Sequence, residues 1–349
     1  MNNKQWRLFT GTLLAGAFLL ALTACNKLVP TYRDALSAEA GFSQTTFEPV
    51  VGRTTQYSNV FVNPNNGSTY PIDFTIVNAR RFSGEAAPEL SDIFPVKVWK
   101  QAYTGTETSI AEIEGKRTTE YHNVFEVRKH SGDFVLWSSS TSRILRCQAD
   151  SGYVFDVEMS NSGGRRYFRN MRLMPFRERP YEPSNLNPVT GQSVSNGIYP
   201  SYMLNVRGDS SNNYLTAADV DVYIRKSSET GKTPGNTISF MFLDKYFKPI
   251  DPAKFALTDW NNLLHGFNVK KTATRVTYDV AFPVPLAQLP TRFTTADGRR
   301  TSVKFGYSRI GFGGFRQDAV IGLDFAIYEP GDWEIVFAFK NDSPKFSND

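Results

Sequence analysis

The chain has 349 residues, of which 40% are hydrophobic and 21% charged, and its formal net charge is +5. That composition belongs to a folded protein with enough chain for two domains. The basic residues are scattered apart from Arg165-Arg166, Arg177 with Arg179, and Arg299-Arg300. A nucleic-acid binder concentrates such charge in a stripe, so no nucleic-acid partner is expected.

The first element is a leader. Lys4 and Arg7 precede an apolar run from Leu8 to Leu22, which ends in Leu22-Thr23-Ala24-Cys25. This is the layout of a secretory signal over residues 1–24, and a cysteine at its cleavage site makes a lipobox. Cys25 is therefore the expected lipidation site, and the membrane the first expected partner. The run is shorter than the ~20 residues a spanning helix needs, and Gly11 and Gly16 interrupt it. Acyl chains contribute about 0.8 kcal/mol per buried methylene, so a multiply acylated cysteine holds without a spanning helix. Loss of Lys4 and Arg7 with the leader takes the charge from +5 to +3. With Cys25 lipidated, Cys147 has no partner, and neither a disulfide framework nor a thiolate metal cluster is possible. Cys147 ends a strand-like run from Arg143 and is expected to be a buried, inert thiol.

Residues 25–50 hold no sustained period and read as a tether. A β-rich domain is expected over 51–180. Ile72, Phe74 and Ile76 alternate with polar neighbours, as do Phe94, Val96 and Val98, and Tyr153, Phe155, Val157 and Met159. Turn signals separate them at Asn65-Asn66-Gly67, Ser131-Gly132-Asp133 and Ser162-Gly163-Gly164. A short helix is expected from Ser109 to Lys116, with Ser109 as cap and Glu112 completing a capping box. Prolines 175, 180, 183, 188 and 200 break the pattern, and residues 181–200 read as a connector.

A second β-rich domain is expected over 201–349. Val220, Val222 and Ile224 alternate, followed by Ile238, Phe240 and Phe242, then Val276 to Val284, Leu323 to Ile327, and Trp333 to Phe339. A helix is expected from the Thr258 cap to Gly266, with Trp260, Leu263 and Leu264 inward and His265 at its C-terminal turn, where a cation suits the helix dipole. The fold class is mainly β, as two antiparallel β-sandwiches of immunoglobulin-like or jelly-roll-like kind.

Several segments carry a family likeness: Phe125-Glu126-Val127-Arg128, Ser131-Gly132-Asp133-Phe134, Ser160-Asn161-Ser162-Gly163-Gly164, the stretch from Asp259 to Phe267, and Tyr328-Glu329-Pro330-Gly331-Asp332-Trp333. With the lipobox they give a chain that resembles the uncharacterised lipoproteins of Bacteroidota. The resemblance implies an accessory role near SusC/SusD-type glycan-uptake complexes, with glycan capture at the outer membrane. It supplies no functional residues. Surface-displayed members carry acidic residues soon after the cysteine, whereas here the first carboxylate is Asp34. Both the cell surface and the periplasmic face stay open.

Candidate chemistry is sparse. His122, His130 and His265 form no HExxH pair, and no G-x-S-x-G elbow is present. Gly311-Phe312-Gly313-Gly314-Phe315-Arg316 lacks the Gly-Lys-Ser/Thr ending of a phosphate loop and reads as a turn between strands. Asp244, Asp251 and Asp259 could surround a cation, but turns and caps explain them equally well, so no metal and no cofactor is expected. Asp156 with Glu158, and Asp324 with Glu334, are the carboxylate pairs considered for glycan hydrolysis. Aromatic residues make up 14% of the chain. Sugar rings stack on exposed indole and phenol faces, so Trp99, Trp137, Tyr199 and Tyr202 are the candidate ligand-binding residues. Trp99 and Trp137 break the alternation of their strands and are the expected exposed pair; Trp260 and Trp333 fit inward positions. The leading expectation is a lipid-anchored, non-catalytic glycan binder. The alternatives are a structural or adhesion lipoprotein that pairs its sheets with a protein, and a glycoside hydrolase.

Overall fold

The computed structural model describes residues 34–149, 151–195, 197–228 and 235–349. The expected leader and the expected lipidation site, Cys25, lie outside the described residues. The protein is mainly β, with 42% strand in several separate sheets. Among the described residues, no helix is long and apolar enough to cross a membrane.

The N-terminal half has three layers. A four-stranded sheet runs in the order Thr46–Phe47, Gly164–Leu173, Tyr153–Asn161, Asp73–Arg81. Its inward row, including Phe74, Phe155, Val157 and Met171, packs on Phe125, Phe134 and Leu136. Those three belong to a small sheet ordered Thr55–Tyr57, Phe134–Leu136, Phe125–Val127. On the far side of that sheet, Val135 and Trp137 meet Val96 and Val98. These two valines belong to a two-stranded ribbon of Ile93–Trp99 and Arg117–Asn123. The middle sheet is thus covered on both faces, and Phe134, Val135 and Leu136 are all buried.

The C-terminal half is a sandwich. One sheet centres on Arg316–Ile327, which pairs with Thr301–Ile310 on one side and with Tyr181–Glu182 and Tyr202–Leu204 on the other. The facing sheet runs Val220–Lys226, Asp332–Phe339, Thr237–Leu243, Val276–Asp279, Phe267–Lys271. Pairing is antiparallel except between Thr237–Leu243 and Asp332–Phe339, which are parallel. Alternating residues from both sheets fill the space between, with Phe240, Phe242, Phe305, Phe325 and Phe337 fully buried. A cluster of Tyr103, Ile113, Ala281 and Leu286 joins the two halves.

Several boundaries differ from those expected. The tether ends earlier than residue 50: Gly41–Phe42 and Thr46–Phe47 are strands, and Ala40, Phe47 and Val51 are core. Two-residue strands are too short to show a period. The connector over 181–200 is built into the C-terminal sandwich at both ends, through Tyr181–Glu182 and through the Ile198 bridge to Val222. The alternation from Val276 stops as a strand at Asp279, and Pro283 and Pro285 follow. Residues 141–147 form turns rather than a strand, and Cys147 is half-buried. The Thr258–Gly266 helix is a single 3-10 turn at Trp260–Asn262, capped by Asp259. The other helix, α1 (Ile110–Gly115), has the Ser109 cap accepting from the Glu112 N–H. The Glu112 carboxylate reaches one residue beyond the capping-box position and accepts from Thr108 N and Oγ1.

Candidate binding site at the end of the C-terminal sandwich

The parallel strands Thr237–Leu243 and Asp332–Phe339 finish at the same end of the sandwich. There the chain after Phe339 crosses a loop formed by residues 206–215. Arg207 bridges Tyr214 antiparallel, Leu215 N donates to Val206 O at 2.8 Å, and Gly208 N donates to Asn213 O at 2.8 Å. The loop tip is held by one carboxylate. Asp342 accepts backbone N–H groups from Ser210, Ser211 and Ser343 at 2.8 to 3.1 Å, and Lys245 Nζ lies 3.4 Å away. Burial alone would raise the Asp342 pKa, but these donors outweigh it and hold the group well below the usual carboxylate range. The approach is close enough to demand glycine at 208, where a Cβ would lie 2.3 Å from Asp342 Oδ2.

Between loop and crossing chain lies an open pocket of about 370 Å³, lined by Ser210, Ser211, Asn213, Tyr214, Leu215, Asp219, Asn341 and Asp342. Asp219 accepts from Thr216 N and Oγ1 at 2.8 and 2.9 Å and from Asn341 Nδ2 at 2.8 Å, and these bonds also lower its pKa. Tyr214 is half exposed, yet fixed. The Arg207 guanidinium sits 4.2 Å from its ring centroid, and its hydroxyl accepts from Gln317 Nε2 at 2.9 Å. A ring already immobilised loses little entropy on taking a ligand. The hydroxyls and amides beside it can exchange hydrogen bonds with a polyol.

None of the four aromatic candidates lines this pocket. Tyr199 is exposed beneath Lys340 Nζ at 5.4 Å, and Lys340 N donates to Asp219 O at 2.9 Å, next to the pocket wall. Tyr202 is also exposed but stands on the outer face of the other sheet, opposite Gly322, with Lys304 Nζ 5.1 Å from its ring. The expected exposed tryptophan pair does not form. Trp137 is buried and packs in a tilted contact on His122, with ring centroids 4.8 Å apart. It breaks alternation because its strand is covered on both faces. Trp99 is half-buried against Tyr103 at 5.5 Å, with Arg117 4.4 Å from its ring. Trp333 is core and Trp260 packs partly buried against it, as expected. Tyr214 was missed. Its signal was a polar turn, Ser210-Ser211-Asn212-Asn213, ending in an aromatic residue.

The remaining candidates resolve into local structure. Asp324 and Glu334 lie in different sheets of the sandwich and are not strand neighbours. Glu334 is buried between Arg225 and Arg275. Asp156 is buried, bonded to Asn78 Nδ2 and Asn170 N, while Glu158 accepts from Tyr167 Oη. Asp244, Asp251 and Asp259 each accept backbone N–H groups of their own turn or cap. No group of three or more His, Cys, Asp or Glu that could hold a metal ion occurs among the described residues. His122 lies between Glu120 and Glu126, each at 3.0 Å, and His130 meets Asp73 at 3.0 Å. His265 is bonded across the two halves of the protein instead of closing a helix. Phe312 and Phe315 stand out from the hairpin turn between Thr301–Ile310 and Arg316–Ile327, 95% and 77% exposed.

The fold and pocket define a mainly β protein of two packed cores with an open polar pocket at one end. The chain belongs to the DUF5007 family, a domain of unknown function, whose model matches residues 63–348. No curated protein and no solved structure matches it.

Proposed function

We propose that the protein is a lipid-anchored outer-membrane lipoprotein that binds glycan without cleaving it, as an accessory to a SusC/SusD-type uptake complex. The observation that carries this reading is the pocket beside Tyr214, where an immobilised aromatic face adjoins serine hydroxyls and asparagine amides. Such a combination recognises a sugar ring through its flat C–H face and its hydroxyls together. The two carboxylates of this pocket, Asp219 and Asp342, are both displaced downwards by the donors around them. A glycosidase acid at neutral pH needs the opposite shift, so binding is favoured over hydrolysis.

Affinity electrophoresis of the mature protein in gels containing different polysaccharides tests the proposal. Retardation by at least one polymer, reduced tenfold or more by Tyr214→Ala and Asn341→Ala, is the expected result. A folded protein that no polymer retards sinks it. The exposed Phe312 and Phe315 favour a second reading, in which the hairpin tip contacts a protein partner. Stoichiometric co-purification from membranes, lost in F312A/F315A, would select it.

A further inference from the structure

We propose that the Tyr214 pocket takes neutral sugars and discriminates against uronic acids and sulfated sugars. This rests on the glycan-binding reading and adds a substrate class to it. The lining contains two carboxylates, Asp219 and Asp342, and no lysine, arginine or histidine. Both carboxylates stay ionised at neutral pH, because N–H and O–H donors from the surrounding turns already satisfy them.

The nearby cations are each paired with protein groups, Arg309 and Lys345 with Asp349 among them. Lys245 is tied to Asp342 and to Ser210 Oγ, and Lys340 donates to Asp221 Oδ1 at 2.8 Å. Arg207 is stacked on Tyr214 and donates to Asn212 O at 2.6 Å. An acidic sugar would therefore set its charge against the Asp219 and Asp342 carboxylates, while the neighbouring cations are already committed to protein partners. The hydrogen-bonding capacity left in the lining, from the Ser210 and Ser211 hydroxyls, the Asn213 amide and the Asn341 side-chain carbonyl, matches the hydroxyls of a neutral hexose or pentose.

The test uses matched polymers with the mature protein: a β-glucan and its carboxymethylated form, and galactan beside polygalacturonate. The expected result is at least tenfold weaker binding of each acidic polymer at low salt, with the gap narrowing as salt rises. Neutral-polymer binding should change little with salt. Asp219→Asn, checked for fold by circular dichroism, should recover part of the acidic-polymer binding. Equal or tighter binding of the acidic polymers by the wild type overturns the proposal and leaves the glycan reading standing. Failure of all four polymers together with the wider panel overturns both.

Discussion

The Tyr103 hydroxyl meets His265 Nδ1 at 2.5 Å, although the two residues are 162 positions apart. His265 Nε2 lies 2.8 Å from the Glu107 carbonyl, which can only accept, so that nitrogen carries a proton. In the neutral ring Nδ1 is then the acceptor for Tyr103. The imidazole also stacks on Phe293 at 5.1 Å and 10°. One side chain of the C-terminal half is thereby bonded twice to the segment between the N-terminal ribbon strands. Tyr103→Phe should lower stability by about 1–2 kcal/mol, the cost of leaving an acceptor without its donor. His265→Ala should cost more, about 2–3 kcal/mol, because the ring contact goes as well. Urea denaturation followed by tryptophan fluorescence measures both. Midpoints equal to wild type would remove the contact from any role in holding the halves together.

Glu107 beside it makes this junction acid-sensitive. Its carboxylate is buried and accepts from Lys116 Nζ at 2.5 Å, from Thr104 N at 2.9 Å and from Gly105 N at 2.9 Å. Burial pushes the pKa up, but these donors outweigh it and bring it to about 2, against 4.5 for the free side chain. The folded value is the lower one, so the stabilisation is complete above the unfolded pKa and is lost as pH falls through the folded value. A difference of that size is worth about 3 kcal/mol. Glu107→Gln should cost most of that at pH 7 and flatten the stability profile between pH 4.5 and 2. An unchanged slope would show that other carboxylates carry the acid response.

How far the fold could be read from the sequence depended on whether a strand has one wet face. Tyr153–Asn161 and Asp332–Phe339 announce themselves by alternation and lie where it places them. Gly164–Leu173 does not, because four arginines occupy it and only Met171 and Leu173 point fully into the core. The middle layer of the N-terminal half was illegible for the opposite reason: two dry faces leave no polar partner to alternate with, so Trp137 read as exposed. Tyr199 and Tyr202 were legible as surface rings because prolines and asparagines surround them. Their separation onto different faces depends on which sheet each flanking segment joins, which is a tertiary fact.

Phenylalanines divide into two populations that a pair of substitutions should separate. Phe242 is fully buried, with Phe255, Phe305 and Phe337 at ring distances of 4.3, 4.9 and 5.4 Å. Phe242→Ala should cost about 3–5 kcal/mol through lost transfer energy and the cavity left behind. Phe312, nearly free of neighbours, should tolerate alanine within about 0.5 kcal/mol. Thermal denaturation of the two variants side by side tests the placement of both rings. A large loss in F312A would mean that the hairpin tip is packed against something.

Thiol counting tests the anchor and the fold together. Burial pushes the Cys147 thiol up to about 11, so at pH 8 roughly one molecule in a thousand is thiolate, the form that reacts. Native protein should react with Ellman's reagent slowly, and unfolding in guanidinium should release a fast reaction as the pKa returns to its ordinary value. If Cys25 carries a thioether-linked lipid, protein extracted from membranes contains only the Cys147 sulfhydryl. The denatured chain should then titrate as one thiol. A count of two would leave Cys25 unmodified and remove the lipid anchor from the proposed function. A fast native reaction would instead mean that the turn around residues 141–147 is open. The two outcomes are independent, because one is read from the endpoint and the other from the rate.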